Sequence, residues 1–395
     1  MRNNIFKKIK STFVSTYFWF FVFLLFVLVS FFIAPEFFST KISNEIKNII
    51  AKSEENKIPI LPPLDTMTYD KKLIELANNP PDPIVYETIK TTEKDPEGKQ
   101  ASNGAGKNGN TIIPIETPIS KINLWPVKTV YPNAGAILPF NRVVAYYGNL
   151  YSKNMGALGQ YREDEMIQRL EAEIKKWQEA DPLTPVIPAL HYIAVVAQAK
   201  AGEDEKYRIR MPDSEIDKVI EMAKKINALV FLDIQVGFSN LQTEIPLLEK
   251  YLKMPQVHLG IDPEFSMKTG IRPGKIVGTL DASDINFAAN YLAKIVKENN
   301  LTPKILVIHR YTQKMVTNYK EIKPLSEVQI VMHMDGWGGA AKKINTYQQF
   351  IYKEPVQFTG FKLFYKNDVL EKDTTLMTPN DLLKLNPQPI YIQYQ

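Results

Sequence analysis

The sequence predicts an α/β protein, a (β/α)8 barrel preceded by one transmembrane helix and a proline-rich, largely disordered linker. Three observations predict it. From about Asn141 onward, short runs rich in Val, Ile, Leu and Phe alternate with amphipathic stretches, the pattern of a parallel sheet wrapped by helices. Eight such runs fit into about 255 residues, the size and strand count of a closed barrel. Ahead of them lies one apolar run long enough to span a bilayer, in a 395-residue chain that is 45% hydrophobic and 23% charged. That balance excludes wholesale disorder, and a single apolar run excludes a polytopic membrane protein.

In chain order, residues 1–12 form a basic tail carrying Arg2, Lys7, Lys8 and Lys10, which account for most of the net charge of +5. The remainder is close to neutral, so no nucleic-acid footprint is expected. Residues 13–34, FVSTYFWFFVFLLFVLVSFFIA, contain no charge and as a helix would cover about 33 Å. The run is longer than the apolar core of a cleavable signal, so an uncleaved anchor is expected, cleavage after Ala34 being the alternative. Its basic flank predicts a single-pass membrane protein with a cytoplasmic N-terminus and the barrel outside the cytoplasm, the lipid bilayer being a partner through residues 13–34. Residues 35–140 read as an extracytoplasmic linker: 12 of the 27 prolines lie between Pro59 and Pro139, and a polar run extends from Glu93 to Asn110. Within it, IPILPPL and the helical-looking YDKKLIELAN are apolar enough to dock on the domain or on a partner.

The barrel domain is assigned to 141–395. Its strands are expected at 142–147, 185–196, 228–234, 257–262, 304–309, 328–335, 356–365 and 390–394, with helical periodicity in DEMIQRLEAEIKKWQEA, DSEIDKVIEMAKKI, TEIPLLEKYL, INFAANYLAKIVKE and the stretch 340–352. An open doubly wound sheet is the alternative, but YYGNLYSKNMGALG after the first strand lacks the G-x-G-x-x-G spacing of a phosphate-binding turn.

In such barrels the chemistry sits at the C-terminal strand ends, where costly polar groups collect in this sequence: Tyr147 on the first strand, His191 on the second, Asp233 and Gln235 on the third, Asp262 and Glu264 on the fourth, His309 with Arg310 on the fifth, His333 and Asp335 on the sixth, Lys362 on the seventh and Tyr394 on the eighth. Buried Asp and His are expensive unless paired, so this many suggest a site. His258, at the start of its strand, belongs to the opposite end. In GIDPEF, a period of two places Asp262 and Glu264 on one side of the chain, where one carboxylate raises the proton affinity of the other; the competing reading makes Asp262 a cap for the next turn. In HMDGWG, Asp335 closes the strand and Trp337 offers a plate for a sugar ring. Tyr147, Tyr161 and Arg162 border the long loop after the first strand and are expected to meet ligand.

These motifs resemble those of the chitinase-like glycoside hydrolases of family eighteen. The D-x-E of Asp262 and Glu264 is similar to the tail of the family's DxxDxDxE, and MHMD ending at Asp335 is similar to its M-x-Y-D. The resemblance implies a (β/α)8 barrel in which Glu264 protonates the glycosidic oxygen and Asp262 positions an acetamido group. Met334 stands in place of the family's Tyr, and VHLG fills the places of the earlier acidic residues. The chain as a whole also resembles membrane-anchored bacterial barrel proteins, which implies no activity.

The leading expectation is therefore a glycoside-hydrolase-like enzyme acting on a cell-envelope or extracellular glycan, with Glu264, Asp262 and Asp335 catalytic, with Tyr147, Tyr161, Arg162, His191, Asp233, Gln235, His309, His333, Trp337, Lys362 and Tyr394 binding substrate, and with no cofactor or metal. One alternative is a divalent-metal hydrolase with ligands from His191, Asp233, Asp262, His309 and His333 or Asp335, although no H-x-H pair or H-E-x-x-H helix occurs. The other is a non-catalytic glycan-binding or scaffold barrel. The absence of cysteine excludes disulfides, thiolate sites and a cysteine nucleophile.

Overall fold

The computed structural model describes residues 61–80 and 123–395. The first element is helix α1 (Thr66–Ala77). Asp65 opens it, its Oδ1 accepting from the Thr68 amide at 3.0 Å, and Asn78 ends it in the left-handed conformation.

Eight strands follow: β1 (Arg142–Gly148), β2 (Val186–Ala197), β3 (Leu229–Ile234), β4 (Val257–Ile261), β5 (Lys304–Arg310), β6 (Val328–Met334), β7 (Phe358–Leu363) and β8 (Tyr391–Tyr394). Their bounds agree with the sequence expectation to about two residues. Every neighbouring pair is parallel, in chain order, and the sheet closes because Val143 of β1 stands against Ile187 of β2 on one side and Tyr391 of β8 on the other. A short strand, Arg208–Arg210, adds antiparallel to the end of β2. The fold is a closed, parallel, eight-stranded barrel, not an open sheet.

Helices α2 (Glu163–Ala180), α3 (Asp213–Lys225), α4 (Ala282–Asn299) and α5 (Ala340–Tyr347) cover the outside. Their buried faces carry Leu170 and Trp177, Ile216 and Ile220, and Ala289 and Leu292, packed on outward-facing strand residues such as Tyr146 and Tyr394. The helix expected in TEIPLLEKYL is segmented into Leu241–Glu244, a 3-10 turn Ile245–Leu248 and Glu249–Leu252. Pro246 in the middle has no amide hydrogen to donate. The stretch 340–352 is α5 followed by a π-turn, Gln348–Tyr352.

Alternation along each strand decides what faces the barrel interior. Phe231 stands opposite His258, Asp233 opposite Gly260, His309 opposite His333, and Lys362 opposite Gln393. The lower interior is apolar, built from Val143, Ala145, Ala189, Phe231, Ile305 and Val331. His258 lies at that end, its Nδ1 accepting from the Ile305 amide at 3.0 Å. The upper interior is polar.

Part of the stretch expected as a disordered linker is instead built into the barrel. Tyr69 of α1 is 2% exposed and belongs to the lower interior cluster, with Leu73 and Leu76 packed beside it. The Gln388 amide donates to Leu76 O at 2.8 Å, and Gln329 of β6 holds Leu138 by accepting from its amide at 3.1 Å and donating to its carbonyl at 2.6 Å. A closed barrel leaves an apolar hole at its lower end, and covering that hole gives these residues the burial that their composition could not achieve alone.

The membrane localisation expected from sequence is corrected as well. Among the described residues no helix is long and apolar enough to cross a membrane. The basic tail 1–12 and the expected span 13–34 lie outside the described residues.

Candidate active site

The polar upper interior begins where each strand leaves its apolar half. On β1 it is Tyr147, whose hydroxyl donates to Asp233 Oδ2 of β3 at 3.0 Å. On β2 it is His191, with Nδ1 2.6 Å from the Tyr391 hydroxyl of β8 and Nε2 3.4 Å from Asp233 Oδ1. From β5, His309 points Nε2 at the same Asp233 Oδ1, 3.5 Å away, and Nδ1 at Asp335 Oδ2, 2.9 Å away. Lys362 of β7 completes the ring with Nζ 2.9 Å from Asp335 Oδ1 and 3.7 Å from the centre of the Tyr147 ring. All of these residues are buried.

Glycine makes the crowding tolerable. A Cβ on Gly260 of β4 would lie 2.5 Å from both Asp233 Oδ1 and His191 Nε2, and one on Gly360 of β7 would lie 2.5 Å from His333 Nδ1. His333 faces inward, and neither of its ring nitrogens has a hydrogen-bond partner.

Asp262 combines the two roles set against each other in the sequence. The strand ends at Ile261, and Asp262 caps the 3-10 turn Pro263–Phe265, its Oδ1 accepting from the Glu264 amide at 3.0 Å. Its Oδ2 accepts from Gln235 Nε2 at 3.2 Å inside the barrel. Because the chain turns there, Glu264 is on the wall of the mouth, half-buried, and not on a continued strand.

Burial and charge divide the ionisable groups into two kinds. Burial raises Asp262 well above the usual carboxylate range. It also raises Glu264, helped by the Asp335 carboxylate, while Tyr311 pulls the other way. For Asp335 and Asp233 burial acts in the same direction but is outweighed: Lys362 and His309 hold Asp335 low, and His309 and His191 hold Asp233 low. Burial opposes charge on His309, yet Asp233 and Asp335 raise it to about 10. His191, without a second carboxylate, is lowered by burial to about 4. Like groups in one site are thus shifted in opposite directions, the arrangement that acid/base chemistry uses.

Above this layer opens a cleft of about 520 Å³. Tyr147, Gln235, Asp262, Glu264, Asp335 and Lys362 line it. Trp337, 48% exposed, stands at its edge with Lys342 Nζ 4.6 Å from its ring centre. His191, Asp233, His309 and His333 lie beneath, walled off from solvent.

Three expected ligand contacts are corrected. Tyr394 faces outward, where its hydroxyl accepts from Trp177 Nε1 of α2 at 3.0 Å; alternation gives the interior to its neighbours Tyr391 and Gln393. Tyr161 packs on the outer core beneath the Arg169 guanidinium, and Arg162 is exposed ahead of α2; neither lines the cleft. The loop that carries them folds back at Gly156, where φ is 142° and a Cβ would stand 2.2 Å from Tyr147 O, so Asn154 and Met155 reach the cleft instead. Sequence reasoning also missed Tyr311 and Phe265 on the cleft wall. Extending the alternation 307, 309 by one step would have found Tyr311; nothing local marks Phe265.

No protein-family model matches the sequence, and no curated protein matches it. Among solved structures it is similar to the cellulase Cel5C_n, at 13% identity and a TM-score of 0.31 over 56% of this chain and 65% of that one. It is also similar to the Bacillus subtilis mannanase man26, at 14% identity and 0.35 over 65% and 80% of the two chains, and to Thermotoga maritima Cel5A, at 11% identity and 0.34 over 64% and 88%. Likenesses of this size carry no argument about activity, and they do not extend the resemblance to family eighteen beyond the few residues that suggested it.

Proposed function

We propose that this chain is a glycoside-hydrolase-like enzyme that cleaves a glycan at the barrel mouth, with Glu264 as general acid/base, Asp262 as its electrostatic partner and Asp335 as the carboxylate facing the reacting sugar. One observation carries the reading: Glu264, raised by burial, lines the same cleft as Asp335, which is ion-paired with Lys362 at 2.9 Å. In this reading Glu264 gives its proton to the departing glycosidic oxygen as the bond to the sugar carbon breaks. The Asp335 carboxylate faces the positive charge that develops at that carbon as the bond breaks, and Glu264 then takes a proton from the incoming water while the water oxygen bonds to the carbon, which restores the acid. Tyr147, Gln235 and Lys362 supply hydrogen-bonding groups to the bound ring, and the exposed face of Trp337 supplies an apolar plate.

The test is a panel of chitin, peptidoglycan and common polysaccharides given to the full-length protein. Cleavage of one of them, reduced by about 10²–10⁴-fold in Glu264→Gln with binding retained, supports the assignment. No cleavage of any by the wild-type protein, or full activity in Glu264→Gln, overturns it.

A further inference from the structure

Beneath the cleft, three buried polar atoms point at one another. His191 Nε2 and His309 Nε2 lie 3.4 and 3.5 Å from Asp233 Oδ1, and the three are within 4.8 Å of one another. None has a hydrogen-bond partner, and all three residues are fully buried. A native interior rarely leaves one such atom unsatisfied, since each costs about 1–3 kcal/mol. Here three share one spot.

We propose that His191, Asp233 and His309 form a binding site for a divalent transition-metal ion, with Zn2+ the best match, in the layer beneath the cleft. Two imidazoles and a carboxylate suit zinc, and four-coordinate zinc with bonds of about 2.0–2.1 Å sets its ligand atoms about 3.4 Å apart. That edge length is the spacing of both imidazole nitrogens from Asp233 Oδ1.

The other polar atom of each ligand is already held, as metal ligands usually are. His191 Nδ1 is 2.6 Å from the Tyr391 hydroxyl, His309 Nδ1 is 2.9 Å from Asp335 Oδ2, and Asp233 Oδ2 accepts from Tyr147 at 3.0 Å. With both Nδ1 atoms donating to these oxygens, both Nε2 lone pairs would face a bound ion, which takes the place of the proton that Asp233 and Asp335 favour on His309. Gly260 keeps the space beside that oxygen clear, because any side chain there would begin 2.5 Å from Asp233 Oδ1 and from His191 Nε2. Three protein ligands leave a tetrahedral ion one position for a water molecule. The acid/base reading requires no metal, so this inference goes beyond it.

The full-length protein is stripped with a chelator, mixed with Zn2+ alone and desalted. Elemental analysis is expected to find about one equivalent retained, and Co2+ in its place is expected to give the visible bands of a four-coordinate ion. Asp233→Asn and His191→Gln each lose the ion, while Asp335→Asn, which frees only the far side of His309, weakens it about 10–100-fold. Wild-type protein that retains no zinc, and whose melting midpoint Zn2+ does not move, overturns the proposal, as does folded Asp233→Asn or His191→Gln that keeps the full equivalent. Should those variants fail to fold, the midpoint shift and the Co2+ bands of the wild-type protein still decide. No glycan enters these measurements, so failure of the acid/base reading leaves their outcome unaffected.

Discussion

Burial sets the proton on Glu264, and the groups around it pull in both directions: the Asp335 charge raises its pKa, while the Tyr311 hydroxyl and Lys362 lower it. A general acid works only while protonated, so cleavage is present below the folded-state pKa of Glu264 and is lost as pH rises through it. Because that pKa lies above the 4.5 of an ordinary glutamate, the basic limb of the kcat/KM profile is displaced upward. Tyr311→Phe removes a lowering influence and is expected to move that limb to still higher pH; a limb that moves down, or stays, sinks the assignment of Glu264. The same scale shows why residue type was legible and partner was not. A carboxylate beside an apolar strand announces itself in the sequence, as Asp233, Asp262 and Asp335 did. Whether its pKa is held low, as that of Asp335 is by Lys362, or raised, as that of Asp262 is by burial, depends on atoms from other strands.

At the scale of elements, alternation is the strongest local rule, and its parity decides function. His309 and Arg310 are adjacent on β5 yet face opposite ways. His309 turns into the barrel; Arg310 turns out and donates to Phe350 O at 3.1 Å and Gln313 O at 2.9 Å, and pairs with Glu354. One guanidinium thus fastens the end of β5 and the loop after it to the π-turn that follows α5. Glu354→Ala would strand that buried charge with only carbonyl partners, and urea unfolding is expected to register a loss of about 3–5 kcal/mol. A loss below about 1 kcal/mol would mean that the carbonyls alone suffice. Parity also accounts for the error at β8, where an aromatic at the strand end drew attention to Tyr394 although 391 and 393 hold the inward register. On β1, β2, β3, β5 and β6 the residues chosen from sequence share that inward register, because a period of two cannot be broken inside a regular strand.

At the scale of the described domain, the barrel has a working end and a closed end, and the closing piece lies far away in sequence. Tyr69 of α1 fills the lower opening, but its hydroxyl has no hydrogen-bond partner. Burial of the ring and not the hydroxyl should therefore carry its contribution. Tyr69→Ala is expected to cost about 3–5 kcal/mol of unfolding free energy, and Tyr69→Phe to be neutral or slightly stabilising. Equal losses in the two variants, measured by thermal or denaturant unfolding, would contradict this account of the plug. The helical periodicity of YDKKLIELAN was visible in the sequence, but the surface it covers exists only once β1 and β8 have met.

The sequence alone determined the eight strands, their order along the chain and the chemical character of their ends, because apolar periodicity and the cost of burying charge act over a few neighbouring residues. Tertiary structure alone decided that β8 closes on β1, that α1 belongs to the barrel and that Gln393, not Tyr394, turns inward. It also left three polar atoms of His191, Asp233 and His309 facing one another without partners. Those outcomes depend on the register between strands up to some 250 residues apart, and no local pattern encodes a distance across a closed sheet.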